Sequence, residues 1–354
     1  MKNKNATTTI GLDLDYNEFR AIQFSKNSNP TPTAIATIPR QGRRSLAPNA
    51  DELNQLAQLL AQRGFIGNQI ALAAPRRHAS FHILDLPPAS SGAPIARLAL
   101  LEAQRSGSHK TDDLQIGFWT QPPKDPPSKF PSPYYTVATE TQPLEELIDQ
   151  FESAHLIPIT IEPIETALTR TAARHDEFTQ DAIHSIIEIG WDDSWAIITL
   201  GSTPVYTRKI DFGCAKIRRQ LIDDHAMPTN ALNYLLNPKN STPDPDSYAD
   251  RIIASLLVPI LTEIVDQLDI ALTYVSQQHR FAPFGIVYRS GYFAHLDQTA
   301  HAIAQRTGMP TINLTHSKSI DNPFDSPITP FESAQSPRLN IAAGLALSST
   351  GAAA

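Results

Sequence analysis

The stretch at residues 7–24, TTTIGLDLDYNEFRAIQF, constrains the fold more than any other because the chain repeats it. It begins as a strand of β-branched and apolar residues and reaches an acid at Asp13. It then turns through Asp15-Tyr16-Asn17-Glu18 and returns as a second strand, Phe19 to Phe24. Near mid-chain, HSIIEIGWDDSWAIITL runs strand, acid (Glu188), turn (Gly190 to Asp193) and strand again. Placing Asp13 on Glu188 also brings Leu12 onto Ile187, Leu14 onto Ile189, Tyr16 onto Trp191 and Ile22 onto Ile197. One such hairpin says little, since Asp and Asn are common in hairpin turns. Two of them, each opening one half of the chain, imply a duplicated α/β fold whose two lobes flank a cleft.

At 354 residues the chain exceeds the size at which one core keeps growing, so two bodies are expected. Lys and Arg number 29 against 36 Asp and Glu, a net charge of −7, which argues against a nucleic-acid surface built from basic clusters. The short basic groups at 40–44, Arg76-Arg77 and Arg218-Arg219 read as solvated surface. Cys214 is the single cysteine, so no internal disulfide is possible and a reducing compartment is expected. On the first turn after Gly213, with no partner evident to make a thiolate, it reads as a small buried residue. The start MKNKNATTTIG lacks an apolar signal region. Ile252 to Val275 is apolar but broken by Pro259, Glu263, Asp266 and Asp269, so it reads as a core helix, not a membrane span. A cytoplasmic protein without direct membrane insertion is expected.

After the first hairpin, Thr33 to Ile38 reads as a third strand. Asn49 and Glu52 form a capping box for a helix striped by Leu53, Leu56 and Leu60 and ended by Gly64. Ile70 to Ala74 and Ala79 to Leu86 read as extended, Ile95 to Leu101 as helical, and Ile116 to Thr120 and Tyr134 to Ala138 as strands. Residues 121–133 hold six prolines and read as a loop. A helix over Pro143 to Ala154 and a strand over Leu156 to Glu162 follow. These place an inserted α+β domain at 35–158, with the first lobe formed by 1–34, 159–182 and 338–354 and the second by 183–337. In the second lobe, strands over 183–189, 195–200 and 204–210 repeat the opening meander. A helical part spans about 214–283, interrupted by a loop at 227–246, and its longest helix runs from about Asp250 to Phe281 with a possible bend at Pro259. Gly285 to Tyr288 is a strand, Arg289-Ser290-Gly291 a turn, Phe293 to Thr307 a helix, and Ile341 to Leu347 a closing helix.

These residues resemble the PilM-like proteins of type IV pilus assembly, members of the actin, sugar-kinase and heat-shock ATPase superfamily that includes the cell-division protein FtsA. The resemblance rests on the order and spacing of IGLDLDYNEFRAIQF, ALAAPRRHASFHILDLPP, LIPITIEPIETALTR, IIEIGWDDSWAIITLGSTPVYTRKIDFG, IVYRSGYFAHLDQTAHAIAQRTGMPTINL and LNIAAGLAL. It implies an actin-like, ribonuclease H-like duplicated fold with an inserted small domain. It also implies ATP with magnesium as the family ligand, held by two acid-turn hairpins whose small residues let backbone N–H groups approach phosphate. On this chain the corresponding residues are Asp13, Glu188 and Gly190, with Ser290 and Gly291 in the Gly-rich turn against the nucleoside. The turns depart from that pattern. Asp15, Tyr16, Asn17 and Glu18, and Trp191, Asp192 and Asp193, bring negative charge and bulk to a phosphate contact.

A chain that keeps the fold but has lost ATP turnover is therefore expected, with no catalytic residue and no protein metal ligand assigned. In PilM-like proteins the inserted domain and adjoining lobe hold the amino-terminal peptide of the inner-membrane protein PilN. The resemblance thus implies a scaffold peripheral to the inner membrane through such a partner, in a pilus or type II secretion-like assembly, with self-association left open. The alternative is an active ATPase or sugar-kinase-like enzyme using Asp13 and Glu188 around Mg-ATP, with Arg289 reaching the nucleotide. An FtsA-like filament is disfavoured because LALSSTGAAA lacks the basic amphipathic character of a membrane anchor. His78 and His82, in an extended segment, do not converge as helical i, i+4 ligands would. His295 and His301, six apart on a helix, share no face.

Overall fold

The computed structural model describes residues 7–40, 47–109, 111–120, 133–235, 248–315 and 336–348. The opening hairpin pairs β1 (Ile10–Leu14) with β2 (Glu18–Phe24), and β3 (Pro32–Pro39) extends the meander. Helix α1 (Ala50–Gln62) begins at the Asn49–Glu52 capping box, with both reciprocal bonds formed, and the chain leaves it through Gly64 at φ +83. Strand β4 (Gln69–Ala73) then returns beside β1 in parallel.

The chain continues through β5 (Ala79–Leu84), α2 (Ile95–Arg105), β6 (Leu114–Thr120), β7 (Tyr134–Glu140), α3 (Thr141–Ser153), β8 (Ile157–Glu162) and α4 (Ile164–Ala172). The second half repeats the meander as β9 (Ile183–Ile189), β10 (Ser194–Leu200) and β11 (Thr203–Ile210). Helices α5 (Cys214–Asp223), α6 (Thr229–Leu235) and α7 (Tyr248–Gln278) follow. The remaining elements are β12 (Phe284–Gly291), α8 (Asp297–Thr307), β13 (Thr311–Asn313) and α9 (Asn340–Leu347).

The two five-stranded sheets have the same topology, β3-β2-β1-β4-β8 and β11-β10-β9-β12-β13, each an antiparallel meander followed by two parallel strands. Their hairpins also share a register. Asp13 lies opposite Arg20 and Leu14 opposite Phe19, as Glu188 lies opposite Trp195 and Ile189 opposite Ser194. The offset that aligned the acids in sequence thus aligns the strand pairs residue by residue.

Both sheets are covered on both faces, which is why β1, β2, β9 and β10 are buried along their whole length. Helices α1 and α3 cover one face of the first sheet through Leu53, Leu56, Leu147 and Phe151. On the other face lies α9, apolar all round and buried throughout. Gly11 makes that contact possible, since a Cβ there would sit 1.9 Å from the Ala342 carbonyl oxygen. Helix α4 packs with α9 and with Ile186, Trp195 and Ile197, joining the two lobes through a shared core. Helices α5, α7 and α8 fill the far face of the second sheet.

The inserted unit is smaller than 35–158. Strands β3, β4 and β8 belong to the first sheet and α1 and α3 to its core; only the three-stranded sheet β5-β7-β6 with α2 stands apart. The physical reason is the parallel β1–β4 pairing, which encloses α1 as an ordinary crossover of the first lobe. One face of the small sheet packs on α2, and Phe81, Ile83 and Trp119 rest against the second lobe, where Trp119 Nε1 donates to the Pro204 carbonyl at 2.9 Å.

Other boundaries also moved. Arg289, Ser290 and Gly291 end β12 instead of forming a turn, α8 starts at Asp297, and α6 occupies part of the expected loop at 227–246. The rest of that loop (236–247), the proline-rich loop over 121–132, the basic residues at 43 and 44 and the chain's last six residues lie outside the described residues.

Candidate functional site

Strands β1, β9 and β12 all run toward the cleft, and their ends carry the candidate residues. Ser290 is registered with Glu188 and Gly291 with Ile189 across the β9–β12 pair, while Asp13 faces them from the first lobe. The sheet ends therefore bring Asp13, Glu188, Gly190, Ser290 and Gly291 together. What fills the space between them is arginine.

Arg20 is 1% exposed and lies among three carboxylates. Its Nη1 donates to Asp13 Oδ2 at 3.1 Å, its Nε to Glu18 Oε1 at 2.5 Å, and its Nη2 to Asp15 Oδ2. Arg76, on a 3-10 turn after β4, places Nη2 3.0 Å from Asp13 Oδ1, so both Asp13 oxygens are bonded to guanidinium. Arg338, from the turn before α9, pairs with Glu18 Oε1 and donates to the Tyr292 hydroxyl at 3.3 Å. The Tyr292 ring lies 5.1 Å from the Arg20 guanidinium and 4.5 Å from that of Arg338. Arg40 holds the turn from the other side, donating to the Asp15 carbonyl at 3.0 Å and pairing with Glu52 at 3.2 Å.

Three acids and three arginines thus neutralise one another, all of them buried except Arg76, which is partly exposed. Burial pushes the Asp15 carboxyl up, opposed by Arg20. At Glu18 burial also works upward, but Arg20 and Arg338 outweigh it and hold the carboxyl below its usual range. Burial opposes the charge on Arg76, and Asp13 more than restores it. Glu188 adjoins this cluster, but Arg20 and Arg76 do not offset the cost of its burial. Burial raises it to about 7, and its Oε2 has no hydrogen-bond partner among the described residues.

The groups a magnesium-bound triphosphate would use here are in part already bonded to one another. Its phosphates would need free backbone N–H groups, yet Asp15 N donates to the Glu18 carbonyl, Tyr16 N to the Asp15 carboxylate and Gly190 N to the Asp193 carbonyl. The cation would need an accessible Asp13, whose oxygens are taken. Gly190 is a glycine for its own tight turn, since a Cβ would meet the Asp193 carbonyl oxygen at 2.4 Å. Ser290 Oγ donates to the Pro337 carbonyl and accepts from Asn340 Nδ2, which ties it to the closing segment. Gly291 adopts φ +83 with the Ile189 carbonyl oxygen 2.2 Å from where a Cβ would be. Arg289 points away from the acids, donating to the Ala294 and Leu296 carbonyls.

Compared with known proteins, the chain matches no family model and no curated protein sequence. Among solved structures it is similar to the "PilM-PilN type IV pilus biogenesis complex", with a TM-score of 0.76 at 14% identity over 97% of this chain and 98% of that one. The chain has the actin-like ATPase fold, in the form seen in PilM. The ethanolamine utilization protein EutJ of Carboxydothermus hydrogenoformans is also similar, with a TM-score of 0.52 at 12% identity over 97% of this chain and 89% of that one.

Two readings of the basic groups change. Arg40 and Arg76 are not solvated surface; each is drawn inward by an acid distant in sequence, Glu52 and Asp13. Arg219 is exposed, and Arg218 is half-buried over the Trp191 ring. Arg20, Arg338 and Tyr292 were not singled out by sequence. For Arg20 a signal existed, because a hairpin turning at Asp15 to Glu18 places it opposite Asp13. Cys214 is fully buried, and burial pushes its thiol up. His78 and His82 part company as expected, to Glu140 at 2.8 Å and to Ser80 at 2.6 Å. Among the described residues no three His, Cys, Asp or Glu side chains are placed to hold a metal, and no helix is long and apolar enough to cross a membrane.

Proposed function

We propose that this chain is a non-enzymatic cytoplasmic scaffold at the inner membrane, in a type IV pilus or type II secretion-like assembly. It docks the short cytoplasmic segment of a PilN-like membrane partner and does not turn over ATP. The observation that carries the reading is the cleft itself, in which Arg20, Arg76 and Arg338 stand where a nucleotide's cation and phosphates would have to be accommodated. The end-to-end similarity to the PilM of a PilM–PilN complex supports the choice of partner class.

The test uses synthetic peptides covering the cytoplasmic tails of single-span membrane proteins encoded beside this gene. Calorimetric titration of the full chain should detect one tail that binds with a stoichiometry of one, and addition of millimolar Mg-ATP should leave its affinity unchanged. Absence of binding by every such tail would remove the pilus or secretion assignment.

A further inference from the structure

The first lobe, the second lobe and the inserted sheet meet around a small, partly open pocket of about 20 Å³, lined by Arg76, Ser80, Phe81, Ile164, Glu165 and Trp195 among others. Its volume is that of a single water, and a water there needs polar partners. The walls offer them. Trp195 Nε1 is buried without a hydrogen-bond partner among the described residues, and the Glu165 side chain that lines the same pocket is 5% exposed. Next to it, Thr207 Oγ1 of β11 is buried within hydrogen-bonding reach of the Glu165 carboxyl. An orphaned buried donor is costly, and Trp195 Nε1 beside the Glu165 carboxyl calls for a ligand that satisfies it.

We infer that the cavity is an ordered-water site in which one water bridges Trp195 Nε1 and a neutral Glu165, and that ionisation of Glu165 loosens the joint between the lobes. The charged groups around Glu165 decide the direction. Arg76 is the cation that faces it, but its guanidinium is bonded to Asp13; β11 offers Thr207, β10 Trp195 and β5 Ser80, none of them charged. Burial accordingly raises the Glu165 carboxyl above its ordinary 4.5. A raised acid contributes stability that is fully present below its unfolded value and is lost as pH rises through its folded value. Helix α4 carries Glu165 in its first turn and lies against β11, so the charge develops inside the lobe–lobe contact.

The experiment compares the full chain with Glu165→Gln, which keeps the shape and the hydrogen-bonding capacity but cannot ionise. As pH rises above the ordinary 4.5 of a glutamate, the melting temperature of wild type should fall relative to that of the variant. A constant difference as pH rises overturns the inference. An independent measurement needs no change at Glu165: spin labels on Gln58→Cys and Gln305→Cys, both exposed, one in each lobe. The distance distribution between them should broaden as pH rises, and a distribution that does not change with pH refutes the loosening even if Glu165→Gln does not fold.

Discussion

Replacing Arg20 by methionine tests the charge lattice most sharply. The side chain keeps much of its apolar stem but leaves Asp13, Asp15 and Glu18 with only Arg76 and Arg338 to neutralise them. Breaking a buried ion pair by removing one partner costs about 3–5 kcal/mol, because the stranded charge has lost both water and counter-ion. For a chain of this size each kcal/mol lowers Tm by about 2 °C, so a drop of about 6–10 °C is expected by differential scanning calorimetry near pH 7.5. The loss should shrink in acid, since protonation removes the stranded charge. Millimolar Mg²⁺ should recover part of the loss in Arg20→Met and leave wild type unmoved, because removing the guanidinium frees carboxylate oxygens suited to a hydrated divalent ion. A melting temperature within about 2 °C of wild type at pH 7.5 would show that Arg20 is not the counter-charge the cleft depends on.

Gly11→Ala should cost about 3 kcal/mol or more, since its Cβ would collide with the backbone of α9. Gly117→Ala, with open space around it, should change stability by less than about 0.5 kcal/mol, and chemical denaturation compares the two. His184 accepts the Ile286 N–H on Nδ1 at 3.1 Å and lies 2.9 Å from the Thr179 carbonyl through Nε2, and burial lowers its pKa below 6.5. Stability should therefore decline as pH falls below about 6.5, with a shallower slope in His184→Gln; an equal slope would exclude His184 as a contributor. Cys214 should react with a thiol reagent only at the rate of unfolding, and rapid labelling of the native chain would contradict its burial.

The duplication was legible because it is written in local pattern. Strand, acid, turn and strand recur at a fixed offset, and the observed registers obey that offset. The capping box at Asn49 was legible for the same reason, its two bonds spanning three residues. The extent of the insertion was not, because assigning β4 and β8 to the first sheet depends on pairing with β1, which no local signal reports. The site was half legible. Acids at Asp15 and Glu18 were visible as obstacles to phosphate, but their counter-ions come from β2 and from the turn before α9, and that of Asp13 comes in part from a turn 63 residues further on. An Arg-Arg pair such as Arg76-Arg77 looks like surface until the fold brings a buried carboxylate to it.

Whether the cleft accepts nucleotide is the central question for this protein. Mg-ATP titrated into the purified chain while Tm is followed should produce no shift up to millimolar concentration. A ligand present at one hundred times its Kd would add about 2.7 kcal/mol, a rise of several degrees. Such a rise, lost in Asp13→Asn, would mean that the arginines yield to the nucleotide and that the chain is a working ATP-binding protein.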